Sequence, residues 1–326
     1  MTETIVSVGL PVDEVLRIQK NRIVPPNSQL NSQPNSQLDA ELPRICIVTG
    51  IHGDELEGQY VCFELQRRLA LEPEQLCGVV DIYPAMNPLG IDSISRGIPA
   101  FDIDMNRTFP GDVDGHMMEY VAAQIVEDLA GADCVLDIHA SNIYLTEIPQ
   151  IRINELHQEI LTPLALEANV DFIWIHGANT VLESTLAYSL NSIGTPTLVV
   201  EMGVGMRITQ RYGDQLVDGI FRLMKKLGIW RGETKAAQRP IISCRADDVC
   251  YLNASVSGLF IPAVQHGAKL KKGEVIGRIV NPLSGGVLDV VKAPEDGMLF
   301  TIRDYPVVDE GSLMGRLLKK EVYSHA

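Results

Sequence analysis

The sequence lacks the features that are typical of proteins that bind nucleic acids or membranes. It has no surplus of basic residues: the formal net charge is −15, and contacts to phosphates need a basic surface. No apolar run approaches the ~18 residues that a membrane-spanning helix requires. The N-terminus has neither the basic start nor the apolar stretch of a signal peptide. We therefore expect no nucleic-acid partner and no membrane association.

Cysteine is scarce and is not grouped. Six cysteines are scattered along 326 residues, and no CxxC pair occurs. Most of them stand in apolar, strand-like or helix-like surroundings, where free cysteine behaves as a small hydrophobic residue. This distribution is typical of a reduced, cytoplasmic protein without a disulfide framework.

Three common catalytic motifs are missing as well. The sequence contains no GxxxxGK[ST] loop for phosphates and no G-x-S-x-G turn for a serine nucleophile. The segment from Gly203 to Ile208 has the first two glycines of a dinucleotide fingerprint but not the third. These absences argue against nucleotide-dependent and serine-hydrolase chemistry.

What is present is an alternation of short apolar runs and amphipathic stretches between Arg44 and about Trp230. The strand-like runs are Ile45–Thr49, Val79–Pro84, Cys134–His139, Phe172–His176 and Thr197–Glu201. The helix-like stretches are Glu55–Leu71, His116–Leu129, Asn154–Glu167, Ser184–Ile193 and Ile208–Leu227. This pattern predicts an α/β fold with a doubly wound, mostly parallel sheet, in a catalytic domain spanning residues 1–239.

The last part of the chain has a different sequence pattern. Residues 240–326 are rich in short strands, glycines and turn signals without helical periodicity, which predicts a smaller C-terminal all-β domain. They hold equal numbers of acidic and basic residues, so the whole net charge of −15 belongs to residues 1–239. Near the start, a repeated polar tetrapeptide (NSQL-NSQP-NSQL) predicts a surface loop over residues 27–39.

The hexapeptide Gly-Ile-His-Gly-Asp-Glu, residues 50–55, points to a metal site. It follows a buried strand, and on the first turn of a helix His52 and Glu55 would lie on one face and reach one cation. A third ligand from far along the chain is the common plan of a catalytic zinc, which keeps its fourth position open for water. His139, at the end of a predicted strand, is our third ligand. The alternatives are His176, also at a strand end, and His116 and His157, which we place on helix surfaces.

Asp137 lies two residues before His139, so both side chains point to the same face of the strand. It is a candidate for a carboxylate that orients the histidine. The alternative is a buried aspartate that accepts hydrogen bonds from the backbone.

The segment Asp-Met-Asn-Arg, residues 104–107, combines an amide with a guanidinium. Arginine presents a rigid fork that matches a carboxylate. Beside a metal, Asn106 and Arg107 could hold a substrate carboxylate, and Arg96 could stabilise a developing oxyanion. Without the metal motif, the same arginines would be ordinary surface residues of a loop.

Glu201 ends a strongly apolar strand, and a carboxylate there needs a partner or a purpose. Metal-assisted hydrolysis needs a base that takes a proton from water and delivers it to the leaving amine. Glu201 is our candidate for this base. The alternative is a structural ion pair, for example with Arg207.

Taken together, these motifs resemble the succinylglutamate desuccinylase/aspartoacylase family, a branch of the zinc carboxypeptidase-like hydrolases. The resemblance runs from about Arg44 to Leu318. It rests on Gly-Ile-His-Gly-Asp-Glu, Asp-Met-Asn-Arg, Asp-Ile-His and Val-Glu-Met-Gly in this order. Met105 stands where family members commonly have leucine, a conservative packing change.

The resemblance implies one Zn²⁺ per chain, held by His52, Glu55 and His139. It also implies Glu201 as base, with Arg96 and Arg107 as polarising and carboxylate-binding groups. It further implies a zinc-carboxypeptidase type of sheet and a second domain similar to a biotinyl/lipoyl hammerhead. A carrier domain of that type presents a lysine on a hairpin tip. Because Ser284-Gly285-Gly286 occupies the corresponding turn, we expect neither biotinylation nor lipoylation.

We therefore expect a zinc-dependent amidohydrolase that deacylates an N-acylated amino acid or a related small amide. The first alternative is a metallocarboxypeptidase that trims peptides, because it would use the same motifs. The second is a non-catalytic small-molecule binding protein on a hydrolase scaffold. A homo-oligomer is compatible with the sequence, and residues 240–326 are expected to shape the pocket entrance or an oligomer contact.

Overall fold

The structure is a computed structural model that describes residues 1–26, 42–99, 101, 103–177, 183–237, 239–243 and 245–323. The predicted loop at 27–39 lies outside the described residues. The strands are β1 Thr2–Gly9, β2 Val15–Ile23, β3 Arg44–Thr49, β4 Val79–Tyr83, β5 Cys134–Ala140, β6 Leu145–Asn154, β7 Phe172–His176, β8 Thr197–Gly203, β9 Ile241–Ser243, β10 Val249–Asn253, β11 Gly258–Pro262, β12 Ala268–Leu270, β13 Val275–Asn281, β14 Gly286–Lys292, β15 Gly297–Arg303, β16 Val307–Val308 and β17 Leu313–Lys319. The α-helices are α1 Glu57–Leu69, α2 Pro88–Ser93, α3 Met117–Leu129, α4 Gln158–Ala165, α5 Leu186–Ser192, α6 Gln210–Lys226 and α7 Lys320–Tyr323.

Four parallel strands form the centre of the large sheet, in the order β4-β3-β5-β8. Their side chains are buried on both faces, which is why their sequences read as nearly continuous apolar runs. In β3, Ile45 and Ile47 pack into a core with α1, α4 and α6, whereas Cys46 and Val48 pack into a second core with α3 and α5. Helices thus cover both faces, as a doubly wound arrangement requires.

The sheet is mixed rather than mostly parallel, and this corrects the prediction from the sequence. Strand β2 joins β4 in antiparallel orientation, and β6 joins β8 in the same way. Neither the β1–β2 hairpin nor β6 was expected. β6 was missed because Glu147, Gln150 and Arg152 interrupt its apolar pattern, although all three are largely buried.

Residues 240–326 are rich in strands, as predicted, and their described part also contains the short α-helix α7 and a 3-10 helix at Ala246–Asp248. They are divided between two sheets. Strands β11, β13, β14 and β16 form a separate four-stranded antiparallel sheet, whereas β9, β10, β12, β15 and β17 extend the large one. Residues 240–326 join the rest of the large sheet at two places: β15 pairs with β6, and β9 pairs with β7. The domain boundary after residue 239 and the hammerhead likeness stay predictions. None of the helices in the described ranges is long and apolar enough to cross a bilayer.

Helix α6 packs so closely on the segment after α4 that one position tolerates no side chain. At Gly219, a Cβ atom would overlap the backbone carbonyl of Ala168. Alanine normally stabilises a helix interior by about 1 kcal/mol relative to glycine. Here we expect Gly219→Ala to lower the free energy of unfolding by about 1–3 kcal/mol, the usual cost of overpacking.

Urea denaturation followed by circular dichroism would measure this loss. The control is Gln210→Ala at the exposed start of the same helix, which should change stability by less than about 0.5 kcal/mol. A Gly219→Ala variant as stable as the parent would contradict the close packing of α6.

Candidate metal centre and active site

The first two site residues lie in the turn between β3 and α1. Gly50 adopts a left-handed backbone conformation, with φ of 70°, and turns the chain at the end of the strand. His52 Nδ1 then lies 2.8 Å from Glu55 Oε1. Because α1 begins only at Glu57, the turn brings these side chains together, not the first turn of a helix as we expected from their spacing.

The third residue enters from the neighbouring strand. β5 runs parallel to β3, so the carboxyl ends of the two strands meet at one edge of the sheet, where sites of α/β proteins form. His139, near the end of β5, places its Nδ1 3.0 Å from Glu55 Oε2 and 3.3 Å from His52 Nδ1. One potential ligand atom from each of these three buried residues lies within 4.8 Å of the other two. The structure thus brings together the three residues that the sequence suggested.

The cluster fits a zinc ion. Zinc is held by histidine nitrogen and carboxylate oxygen at about 2.0–2.1 Å, and two such ligands of a tetrahedral ion lie about 3.3 Å apart. The separation of 3.3 Å between the two Nδ1 atoms matches this geometry. Two imidazole nitrogens facing each other and one carboxylate also form the donor set of a catalytic zinc with three protein ligands.

Each of the two histidines has a carboxylate near its Nε2 atom, the ring nitrogen that faces away from the cluster. His52 Nε2 lies 3.1 Å from Asp104 Oδ1, in hydrogen-bonding geometry. His139 Nε2 lies at the same distance from Asp137 Oδ1, close enough for an ion pair but not aligned as a hydrogen bond. Such partners fix the orientation of a ligating histidine and raise its basicity. Asp137 thus lies where the sequence suggested, and Asp104 takes a part that the sequence did not suggest.

The ionisation of the cluster favours positive charge at its centre. Burial alone would lower the pKa of His139, but Asp137 and Glu55 together raise it well above its usual range. Burial would raise the pKa of Glu55, but its hydrogen bonds to His139 and His52 outweigh this and lower it. A buried site that stabilises cations in this way suits a metal ion.

Asp104 gives a direct test of the support behind His52. Asp104→Asn keeps the size of the side chain and the oxygen that caps Asn106 N, but removes the charge that faces His52 Nε2. We expect metal affinity to fall by about 10–100-fold, the usual effect of losing such a partner. Competition titration with a chelating dye would measure it, with Asp92→Asn, an exposed position on α2, as the control. Equal affinities in the two variants would contradict the supporting role.

The Asp-Met-Asn-Arg segment lines the same pocket. Arg96 donates to Glu55 Oε1 at 3.0 Å and to Asp104 Oδ2 at 3.3 Å, so its guanidinium lies beside the metal cluster. Asn106 is buried, and its Oδ1 accepts a hydrogen bond from Leu186 N. Arg107 is exposed and donates to the Asn106 carbonyl oxygen at 2.7 Å. All three predicted residues therefore face the cavity that contains the cluster.

Glu201 lies near the end of β8, beside β5, where it is the register partner of His139. Arg152 Nη1 approaches Glu201 Oε1 to 3.1 Å. Arg207, the partner suggested by the sequence, lies instead 3.9 Å from Asp304. Burial raises the pKa of Glu201 above its usual range, although Arg152 acts in the opposite direction. This is the direction that suits a base, which works best with a pKa closer to neutral pH.

A single cavity of about 270 Å³ contains all seven predicted residues. His176 also lines it but takes no part in the metal cluster among the described residues. His116 lies at the N-cap position before α3, and His157 ends a short 3-10 helix, so both stand at helix ends and not on the helix surfaces that we expected.

Three charged residues of the cavity were missed. Glu147 and Arg152 belong to β6, and Arg316 to β17. A signal was present for part of β6, since Gln150 and Arg152, two residues apart, lie on one face of a strand. Glu147 breaks this period, because the register of β6 shifts between Glu147 and Gln150. No local signal identifies Arg316, because its strand reaches the site only through the pairing of the sheet.

Comparisons with known proteins agree with this geometry. Residues 41–227, more than half of the chain, match the family model described as succinylglutamate desuccinylase/aspartoacylase catalytic domain. Over 269 residues the chain is 29% identical to N-alpha-acetyl-L-2,4-diaminobutyric acid deacetylase from Halomonas elongata, covering 79% of this chain and 77% of that protein.

Solved structures share the fold over almost the whole chain. A succinylglutamate desuccinylase/aspartoacylase from Rhodobacter sphaeroides gives a TM-score of 0.78 at 22% identity, covering 98% of this chain and 95% of its own. The product-bound ectoine utilization protein EutE (DoeB) from Ruegeria pomeroyi gives 0.77 at 21% identity, covering 97% and 93%. At these identities the likeness establishes the fold.

Proposed function

Because the chain belongs to the succinylglutamate desuccinylase/aspartoacylase family, we propose that it is a zinc-dependent hydrolase that removes the acyl group from an N-acylated amino acid or a related small, carboxylate-bearing amide. The bond cleaved is a C–N bond other than a peptide bond. The observation that carries the proposal is the buried cluster of His52, Glu55 and His139 in one cavity with Glu201. The relative from Halomonas elongata, named as a deacetylase of an acetylated amino acid, supports the same reaction class.

In the proposed site, His52, Glu55 and His139 hold one zinc ion. When bound, the ion polarises the scissile carbonyl and lowers the pKa of the attacking water. Asp104 and Asp137 keep the two imidazoles in the orientation that presents Nδ1 to the metal.

Arg107 and Asn106 bind the substrate carboxylate in this proposal. Arg107 is exposed at the cavity, so its guanidinium can form a two-point contact with a carboxylate. The side-chain oxygen of Asn106, Oδ1, accepts a hydrogen bond from Leu186 N, so the amide NH₂ group is the part that donates to substrate. These contacts fix one end of the substrate and thereby place the amide bond at the metal cluster.

Arg96 stabilises the oxygen that gains negative charge when the carbonyl is attacked. Its guanidinium is held by Glu55 and Asp104, so it is oriented before substrate arrives. A preoriented donor of this kind acts mainly on the transition state. Glu201 takes the proton from the attacking water and delivers it to the leaving amine.

The cavity volume favours a small substrate over a peptide. At about 270 Å³ it is slightly below the usual range of ligand pockets, about 300–1,000 Å³. This observation favours the deacylase over the metallocarboxypeptidase, which would use the same residues. The free cysteines among the described residues (46, 62, 77, 134 and 250) support a cytoplasmic location, which we also propose.

A substrate panel with a defined metal state tests the proposal. The purified protein is stripped with a chelator and restored with zinc, and both forms are given N-acetyl and N-succinyl amino acids and blocked dipeptides. We expect hydrolysis of an N-acyl amino acid by the restored form alone. Preference for dipeptides would favour the carboxypeptidase. A zinc-loaded protein that binds N-acyl amino acids but cleaves nothing would favour the binding protein.

A further inference from the structure

Four charged side chains form a row that ends at Glu201. Arg316 Nη1 contacts Glu147 Oε1, Glu147 Oε2 accepts from Arg152 Nη2 at 2.8 Å, and Arg152 Nη1 lies 3.1 Å from Glu201 Oε1. Positive and negative groups alternate along the row. One end, Glu201, lies on β8 near the metal cluster, and the other end, Arg316, lies on β17 among residues 240–326.

The row follows the pairing of the sheet. Thr301 on β15 is the register partner of both Glu147 on β6 and Arg316 on β17, so these residues lie side by side across three neighbouring strands. The Thr301 hydroxyl donates to Glu147 Oε1 at 3.0 Å. The order β8-β6-β15-β17 therefore carries the row from the base to the C-terminal strands without a loop between them.

Burial and stacking restrict the row to one arrangement. Glu147 is fully buried, and its two oxygens are used by Arg152, Arg316 and Thr301. The guanidinium groups of Arg152 and Arg316 each lie 6.0 Å from the ring centre of Trp174. Buried ionic groups with this many partners have few alternative positions, because any displacement would leave a charge unpaired in a poorly solvated place.

The position of Arg152 between two carboxylates has a direct consequence for Glu201. Arg152 shares its guanidinium, giving Nη2 to Glu147 and Nη1 to Glu201. If Glu147 were absent, the whole fork of Arg152 would be free to close on Glu201 in a two-point ion pair. Such a pair would turn the carboxylate away from its working position and occupy both of its oxygens.

We propose that Glu147 and Arg316 are positioning residues for the reaction: they hold Arg152 so that it contacts one oxygen of Glu201 and leaves the other for the attacking water. By this contact, residues 240–326 take part in catalysis through Arg316. The inference rests on the proposed function, in which Glu201 is the base. The rival interpretation is a row of ion pairs that only joins the C-terminal strands to the sheet.

Steady-state kinetics on Arg316→Met and Arg316→Lys test the proposal, with Arg278→Met on an exposed part of β13 as the matched control. Misplacing a catalytic group by about 1 Å can cost about 10²-fold in rate.

We expect Arg316→Met to lower kcat by about 10–100-fold while KM stays within about twofold of the parent value. Arg316→Lys should recover part of the loss in kcat, and the control should match the parent. Zinc content should stay unchanged. A rise in KM at constant kcat would overturn the proposal, because Arg316 would then bind substrate directly.

A double-mutant cycle separates positioning from a structural role. If Arg316 acts through Glu201, Arg316→Met should cost less than about threefold in a Glu201→Gln background, because coupled residues are not additive. An N-trifluoroacetyl amino acid, with its more reactive amide, keeps rates measurable in this background. Equal losses in both backgrounds would overturn the proposal.

Two further measurements keep the outcomes distinct. Thr301→Val removes only the hydroxyl that supports Glu147 and should lower kcat by about two- to tenfold even if Arg316→Met folds poorly; an unchanged kcat in this variant would contradict the row. If Glu201→Gln itself keeps full activity, the proposed base is wrong and the inference fails with it. If Glu201→Gln is inactive while both Arg316 variants are normal, only the inference fails.

Discussion

Replacing Glu201 by glutamine should lower kcat by about 10²–10⁴-fold, the range that a positioned acid–base group contributes. Glutamine keeps the shape of the side chain but cannot accept a proton from water or return it to an amine. The zinc content should not change, because Glu201 is not among the three clustered ligands. Steady-state rates on the best N-acyl amino acid, with elemental analysis of the same samples, would measure both effects.

The control for this substitution is Glu159→Gln on the exposed face of α4, which should leave kcat unchanged. The pH profile adds a second readout. Burial raises the pKa of Glu201, so the active carboxylate form should be lost as pH falls through a value above the usual 4.5 of glutamate. This acid limb should be absent from the residual activity of Glu201→Gln. Full activity in that variant would remove Glu201 from the mechanism.

The second large effect is expected for His139→Ala, which removes one of three proposed metal ligands. The binding free energy of a complete structural zinc site is about 10–16 kcal/mol and is shared among its ligands. The loss of one ligand should therefore weaken zinc binding by about 10²–10³-fold or more. After dialysis the variant should retain little zinc, and activity should fall with the metal.

The matched control is His176→Ala. His176 lines the same cavity and also lies at a strand end, but it is not part of the metal cluster. The His176→Ala variant should keep its zinc. If the two variants lost zinc equally, the assignment of the third ligand would be wrong. Thermal unfolding of both proteins would show whether His139→Ala still folds, since that substitution also leaves Asp137 buried beside an empty space.

The central strands and the metal cluster could be predicted because both leave local signals. Strands buried on two faces are nearly continuous apolar runs, and β3, β5 and β8 stand out in this way. His52 and Glu55 follow one of these strands within six residues, and His139 ends another. Once parallel strands are assumed, their carboxyl ends must meet, so the cluster follows from a few assumptions.

The edges of the sheet and the charged wall of the cavity could not be predicted in this way. β6 carries Glu147 and Arg152, and each has a partner far away in sequence: Glu147 contacts Arg316, and Arg152 contacts Glu201. Arg316 lies 169 residues after Glu147, and no spacing rule relates the two. Polar side chains that are satisfied only by tertiary contacts look like surface residues until the pairing of strands is known.

The continuity of the large sheet limits how this protein can be divided. Two strands pair with the same edge of β6. β15 pairs with the part that carries Glu147, and β7 pairs with the part that ends at Asn154. A fragment ended after residue 239 would strip β15 from β6 and β9 from β7. It would then expose unpaired backbone donors and acceptors beside the proposed active site, and such an unpaired strand edge promotes aggregation. Attempts to express residues 1–239 alone, or to exchange residues 240–326 between relatives, would have to replace those hydrogen bonds.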